Sequence, residues 1–407
     1  MRILRAILLL AVAAVYGCGG GGGGGAVAEV DVSYPTSAYM RSGDFSYSPA
    51  VNSSGRGTLT YSISGNPAWM AIDASTGVLS GTAVAGDYTG ITISVSDGTS
   101  TDSHTFSVSV YPWVITKTGQ QKCYDNAGVE TACAGTGQDG EYQMGAEPSF
   151  TRSSDGIVTD NVNRLMWQDN AAPALKSYAT AVADCTALTL GGYTDWRVAG
   201  IDEILSILDY SKFNNAVFSV FTNISVAHDY WTSTVEQNSG TDVVSIELAG
   251  PTLSTEDPAT GNLYAICVRG DAFPARSFTR DPSFDIVIDG NTGLQWQDDA
   301  DPGIVTQTDA VAACAILTLG GHTDWRVPNA RELLTITDMG NHYNPVYDNA
   351  AFTNYRASDD LHWSSTVTPF STTSAWDIDM LDGSMQTDTR DLGANRSYRC
   401  VRGGFSE

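Results

Sequence analysis

Two copies of one long sequence block lie end to end in the second half of the chain, so whatever fold it adopts must use the same residues twice. Copy one reads LMWQDN at 165–170, CTALTLGGYTDWRV at 185–198, YWTST at 230–234 and AICVRG at 265–270. Copy two reads LQWQDD at 294–299, CAILTLGGHTDWRV at 314–327, HWSST at 362–366 and YRCVRG at 398–403. Trp167 and Trp296, Cys185 and Cys314, and Trp196 and Trp325 are each 129 residues apart. That period exceeds the roughly 20–50 residues of solenoid repeats and matches the size of a domain. The block is a duplicated domain, not a repeat array.

The chain opens MRILRAILLLAVAAVYGC, two arginines ahead of an apolar run from Ala6 to Tyr16. Such a run is too short to cross a bilayer as a helix and has the form of an export signal over 1–18. Its VYGC ending resembles a bacterial lipobox, which implies lipidation of Cys18 and attachment to a membrane through that lipid. No acidic residue directly follows the cysteine, so the outer membrane is the expected address. Gly19 to Gly25 is an unbroken glycine run, and 19–26 read as a flexible tether.

Export makes disulfides the default state of the six cysteines that remain. Six cysteines allow fifteen connectivities. Only the duplication selects among them, because Cys185 and Cys314 share one place in the two copies, as do Cys267 and Cys400. The expected pairs are Cys185–Cys267, Cys314–Cys400 and, by remainder, Cys123–Cys133. Forty-six acidic residues against 21 basic ones give a net charge of −25. That excess argues against nucleic acid and other polyanions as partners and leaves divalent cations open.

From 27 to 112 short runs alternate apolar residues with Ser or Thr, as in LTYSIS (59–64), YTGITISVSDG (88–98) and SHTFSVSVYP (103–112). This is the pattern of half-buried strands, and it predicts a small antiparallel β-sandwich. Residues 67–98 carry Trp69, Asp73, Thr76, Gly77, Leu79, Ser80, Gly81 and Thr82 in the order W, D, TG, LSGT. On those residues the segment resembles the immunoglobulin-like and dystroglycan-type cadherin-like modules of bacterial surface proteins. Asp73 and Asp97 are calcium candidates there, with turn formation the plainer role. Residues 113–149 are expected to be a polar linker closed by Cys123–Cys133. The two copies then occupy 150–270 and 276–404.

Each copy is expected to begin with a hairpin, IVTD to LMWQ and IVID to LQWQ. A helix follows with one buried stripe, Ala181, Val182, Cys185 and Leu188 in copy one and Ala310, Val311, Cys314 and Leu317 in copy two. A second helix follows the DWR triplet; in copy two Asn329 with Glu332 looks like a capped start. Asp195, Trp196 and Arg197, and Asp324, Trp325 and Arg326, could touch a sugar or peptide. The plainer expectation is a Trp anchored in the core and an Arg forked onto Glu203 or Glu332. Trp231 and Trp363, like Trp167 and Trp296, are likewise expected to pack inward. None of the five histidines (104, 228, 322, 342 and 362) occupies the same place in both copies. No zinc-protease, nucleophile-elbow, phosphate-loop or dinucleotide motif is present. No cofactor is expected; Asp377, Asp379 and Asp382 are weak calcium candidates, because D-x-D-x-x-D-G lacks the spacing of an EF-hand loop.

The series V-x-D-x-x-T-G-L-x-W, C-x-x-L, G-G-x-x-D-W-R-x-P, E-L, W-S-S-T, R-C-V-R resembles the family named after the C-terminal domain of the Legionella collagen-like adhesin. Copy two matches through Asp289, Thr292, Gly293, Trp296, Cys314, Asp324 to Arg326, Pro328, Glu332, Trp363 to Thr366 and Arg399 to Arg402. Copy one departs at Arg164, Ala199, Thr232 and Ile266. The resemblance implies α+β units similar to C-type lectin-like domains, surface adhesion, and sulfated polysaccharides as one ligand class, which the acidity of this chain opposes. The expected architecture is therefore an all-β immunoglobulin- or cadherin-like sandwich followed by two α+β lectin-like domains. The expected function is a lipid-anchored surface protein, not an enzyme, that binds an extracellular glycan or surface protein through the divergent segments 235–262 and 367–396. The alternatives are a relative of the sulfatase-modifying enzymes, which needs reactive thiols, and a purely structural envelope protein.

Overall fold

A computed structural model describes residues 30–33, 37–48, 50–53, 57–212, 217–249, 252–299, 303–340, 351–354, 361–380, 383–391 and 396–404. The export signal, Cys18 and the glycine tether lie outside the described residues. The structure is mostly β-sheet with five short helices among the described residues. It divides into two compact units, one running to Val114 with Asn161–Arg164, the other comprising Ile115–Asp160 and Leu165–Ser406.

Alternation makes the strands of the first unit one-sided. Gly86–Ser96 buries Ile91, Ile93 and Val95, and Thr101–Tyr111 buries Phe106, Val108 and Val110, because successive side chains of a strand point to opposite faces. These two strands centre a four-stranded sheet flanked by Ser37–Arg41 and Thr60–Ser64. A second sheet of Gly43–Tyr47, Leu79–Ala83 and Met70–Ile72 adds Phe45, Tyr47, Leu79 and Met70 to the same core. The expectation of a wholly antiparallel sandwich needs one correction: Ser37–Arg41 runs parallel to Thr101–Tyr111. A parallel pair requires a long connection, and most of the module lies between these two strands.

The module's motif has a packing reason. Trp69 stands edge-on to both Phe45 and Tyr88. The glycine of LSGT is needed because a Cβ on Gly81 would come within 1.8 Å of the Trp69 carbonyl oxygen. Asp73 accepts from the Ser75 and Thr76 N–H groups, each at 2.9 Å, and Asp97 from Thr99 and Ser100, each at 2.8 Å. Both aspartates thus build turns.

In the second unit the segment after Val114 forms a two-stranded hairpin, Cys123–Tyr124 with Glu130–Thr131, closed by Cys123–Cys133. A short helix, α1 (Asp139–Tyr142), follows it. This segment packs on copy two rather than hanging free. Thr366 donates to Asp139 at 2.8 Å, Val367 N–H to Gln120 at 2.9 Å, and Arg390 reaches the carbonyls of Tyr124 and Asp125.

Each copy contributes two sheets. Copy one pairs Phe150–Arg152, Ile157–Asp160, Met166–Gln168, Cys267–Arg269 and Arg197–Val198 in one, and Thr252–Glu256, Val243–Glu247, Asp229–Val235 and Tyr264–Ala265 in the other. Copy two repeats this with Phe278–Asp281, Ile286–Asp289, Gln295–Gln297 and Val401–Arg402, and with Leu361–Thr368, Ser371–Asp379 and Met385–Thr389. The first helices, α2 (Tyr178–Ala187) and α4 (Gln307–Ile316), start on Ser177 and Thr306, whose hydroxyls accept from the Thr180 and Asp309 N–H groups. Ala181 with Cys185 and Ala310 with Cys314 are buried, but Val182 is exposed and Val311 only partly covered. The i, i+4 pair faces the core, and the next residue, about 100° further round, turns away from it. This corrects the wider stripe expected from sequence.

The second helices, α3 (Ile201–Ser206) and α5 (Ala330–Thr335), bring the copies together. One hydrophobic core contains Trp167, Ile204, Leu205 and Leu208 of copy one with Trp296, Leu333, Leu334 and Phe352 of copy two. Two arginines close the contact. Arg331 on α5 donates to the carbonyls of Leu205, Ser206 and Leu208 at the end of α3. Arg276 donates to the Leu334 carbonyl in the last turn of α5 and to the Thr337 carbonyl beyond it, and forks onto Asp202 of α3 at 2.8 and 2.9 Å. Each helix C-terminus, where carbonyls lack intrahelical donors, is thus capped by an arginine from another element, that of α3 by Arg331 of the other copy and that of α5 by Arg276 at the start of copy two. Position 202 of copy one is position 331 of copy two, so one site has become Asp on one side and Arg on the other.

Candidate functional site

Most residues shared by the copies are built into the scaffold. Trp167, Trp231, Trp296 and Trp363 are fully buried, and Trp196 and Trp325 nearly so. The Trp231 indole donates to the Lys176 carbonyl and that of Trp363 to the Val305 carbonyl, both at 2.9 Å, which ties each W(T/S)ST strand to the loop ahead of α2 or α4. Cys185–Cys267 and Cys314–Cys400 join those helices to the last strand of each copy.

The DWR triplet has a divided role. Arg197 forks onto Glu203 at 2.7 and 2.5 Å, and Arg326 onto Glu332 at 2.6 Å twice. The same carboxylates accept the N-cap N–H of Gly200 and Asn329, at 2.7 and 2.9 Å. One buried group thereby starts the helix and anchors the preceding strand. Asp195 and Asp324 lie nearer the surface, forked by Arg269 and Arg402 of the final strand. Those arginines hold both carboxyls below the usual range.

A further pair of shared residues is absent from the sequence reading. Asp169 and Asp298, the aspartates of WQD, are buried. Asp169 accepts from Arg152 and from the Thr222 and Asn223 N–H groups. Asp298 accepts from Arg280, Arg399 and the Thr353 and Asn354 N–H groups. The signal was available: FTR at 150–152 and 278–280 and FTN at 221–223 and 352–354 recur in both copies. Copy one has Ile266 where copy two has Arg399, so its hub holds one arginine instead of two.

The copies differ most on the sheet built from the divergent segments. In copy two Asp377 is fully buried and faces Arg396 at 2.9 Å, and Arg396 also binds Asp388. Burial pushes the Asp377 carboxyl up to about 6 against the pull of Arg396. Strand register places Ser245, Glu256 and Leu263 at the corresponding positions of copy one. The charged trio therefore belongs to copy two alone. Of the calcium candidates, Asp377 turns to Arg396 and Asp382 lies outside the described residues. Among the described residues no group of three His, Cys, Asp or Glu is placed to hold a metal, and no helix is long and apolar enough to cross a membrane.

The family model of the Lcl C-terminal domain matches the chain twice, over residues 156–269 and 285–402. The chain belongs to that family. The model described as Putative Ig domain matches residues 27–111. No curated protein matches the chain. Among solved structures, an α-galactosidase-like protein of Bacteroides fragilis is 20% identical over 20% of this chain and 17% of its own, with a TM-score of 0.18. Human protocadherin-24 EC1-2 is 18% identical over 25% of this chain and 51% of its own, with a TM-score of 0.19. A SusE-like surface polysaccharide-binding protein from the heparin utilisation locus of Bacteroides thetaiotaomicron is 9% identical over 66% of this chain and 36% of its own, with a TM-score of 0.16. The chain spans about half or less of the length of each of these three, and likenesses of this size carry no functional argument.

Proposed function

We propose that the chain is an exported surface protein, lipid-anchored through Cys18 in the outer membrane. In this reading an immunoglobulin-like module precedes a fused pair of C-type lectin-like Lcl C-terminal copies that bind an extracellular glycan or surface protein. One observation supports it above others: the shared residues are consumed by the scaffold, whereas the divergent sheet presents part-exposed Asp388 and Arg396 in copy two, braced by buried Asp377, where copy one has Glu256 and Leu263 over buried Ser245. A common frame with dissimilar charged faces is the arrangement of a recognition protein, whose specificity lies on variable segments over a rigid scaffold. The net charge of −25 favours neutral or cationic ligands over sulfated ones. The reading is of a binder rather than an enzyme, and the pairing of Cys123, Cys133, Cys185, Cys267, Cys314 and Cys400 favours it over a relative of the sulfatase-modifying enzymes, whose chemistry needs reactive thiols. Calcium at Asp377, Asp379 and Asp382 is carried as an arm of the test. Glycan and matrix-protein arrays probed with the mature chain, in calcium and in chelator, should give hits, among them a set that Arg396→Gln removes. An absence of binding under both conditions overturns the proposal.

A further inference from the structure

Copy one has a cleft beside the position at which copy two holds an arginine. In copy two Arg399, directly before the disulfide cysteine Cys400, is buried and donates to the Gln297 carbonyl, to Asp298 at 2.8 Å and to the Asn354 carbonyl at 2.6 Å. The corresponding residue of copy one, directly before Cys267, is Ile266, which has no side-chain donor. Beside it opens a cleft of about 440 Å³, lined by Gln168, Ile224, Ile266, the small residues of 171–174 and the Cys185–Cys267 bridge. Lys176 and Asp184, paired at 2.6 Å, border it. Gln168 is the counterpart of Gln297, and Ile224 follows Asn223, the counterpart of Asn354. The cleft therefore adjoins the acceptors that Arg399 engages in copy two.

Charge decides what kind of guest fits. Copy two carries Asp285 and Asp298 with Arg280 and Arg399 around this point. Copy one has Gly156 at the place of Asp285 and Ile266 at the place of Arg399, so an acid and a base have gone together. Asp169 remains matched by Arg152. Lys176 and Asp184 at the rim are likewise matched to each other, so these charged groups sum to zero and favour a neutral guest over an ionic one. The accessible lining is mixed: apolar from Pro173, Leu188 and the alanines of 171–174, polar from Gln168 and the Lys176–Asp184 pair.

We infer that this cleft binds a single neutral sugar residue. Its C–H face rests on Pro173, Leu188 and the alanines of 171–174, with buried Ile224, Ile266 and the disulfide forming the floor beneath, and its hydroxyls exchange hydrogen bonds with Gln168, Lys176 and Asp184. The cleft volume falls within the roughly 300–1,000 Å³ of small-ligand sites. This site belongs to copy one and is separate from the divergent sheet of copy two.

Saturation-transfer NMR on the mature chain with the methyl glycosides of glucose, galactose, mannose and N-acetylglucosamine tests it. At least one should bind saturably. Ile266→Arg, which restores the arginine of copy two, should weaken binding by at least about tenfold. Ala172→Trp, which fills the cleft from an exposed loop, should do the same, and Ile316→Ser, on the exposed face of α4 in copy two, should leave Kd within about twofold. The inference is overturned if none of the four sugars binds, if methylguanidinium binds in their place, or if both cleft variants bind like the parent. Loss of sugar binding in Arg396→Gln alone would also overturn it while supporting the divergent-sheet reading.

Discussion

The duplicated arginine forks provide an internal comparison, because the same pair is buried to different depths. The side chains of Arg326 and Glu332 are 6% and 2% exposed; those of Arg197 and Glu203 are 33% and 3% exposed. Arg326→Leu would leave Glu332 buried without its cation, and breaking a buried pair in this way costs about 3–5 kcal/mol. Arg197→Leu opens a site that water already reaches, so the loss should be nearer the about 1.5–3 kcal/mol of a charged hydrogen bond. Because one core runs through both copies, urea unfolding of the second unit should remain a single transition whose midpoint reports each cost. Adding Glu332→Gln to Arg326→Leu removes the stranded charge but keeps the acceptor for the Asn329 N–H, so it should recover part of the loss. If Arg197→Leu cost as much as Arg326→Leu, or if Glu332→Gln deepened the loss, burial would not be what sets the strength of the fork.

Three further outcomes follow. Replacing Cys314 and Cys400 by Ser should cost about 4.5 kcal/mol on the chain-entropy account and Cys123 with Cys133 about 2.7 kcal/mol, given separations of 86 and 10 residues; equal midpoint shifts in urea would contradict that ordering. Burial raises Asp139 to about 6, so the folded state holds its proton more tightly than the unfolded chain does. Its favourable contribution is then full below about pH 4 and is lost as the pH rises through about 6, a change of about 3 kcal/mol. Asp139→Asn should narrow the stability difference between pH 4 and pH 7, and an unchanged difference would refute the assignment. Arg276→Met should destabilise the contact between copies by leaving Asp202 and the carbonyls at the end of α5 without their donor; a second, separate calorimetric transition in this variant is the expected sign, and an unaltered melting profile would count against the role of Arg276.

The duplication made much of this arrangement legible in advance. Equal spacing indicated that Trp167 and Trp296 should occupy equivalent places, and it selected the two long disulfides from fifteen connectivities. The Glu three residues into α5 marked the helix start, since a capping box is a local pattern. The shared core was not legible. Helices of six residues are too short to show which side faces a neighbour, and the partner of Asp202 is the first residue of copy two, 74 residues away. The Asp169 and Asp298 hubs were hidden for a related reason: their partners, such as Thr222 and Thr353, lie in loops with no periodicity to read. Val182 was misplaced because a stripe of small residues does not specify a helix face to within one position. The parallel strand Ser37–Arg41 escaped notice because alternation reveals which face is buried and not the direction of pairing.

The most direct test is a graft between the copies. Strand register aligns 243–256 with 375–388, so the copy-one segment can replace the copy-two segment without changing its length. The account predicts a folded chain with both long disulfides intact and a changed set of array ligands. A graft that folds and keeps the parent's ligands would place recognition on the shared frame and contradict it.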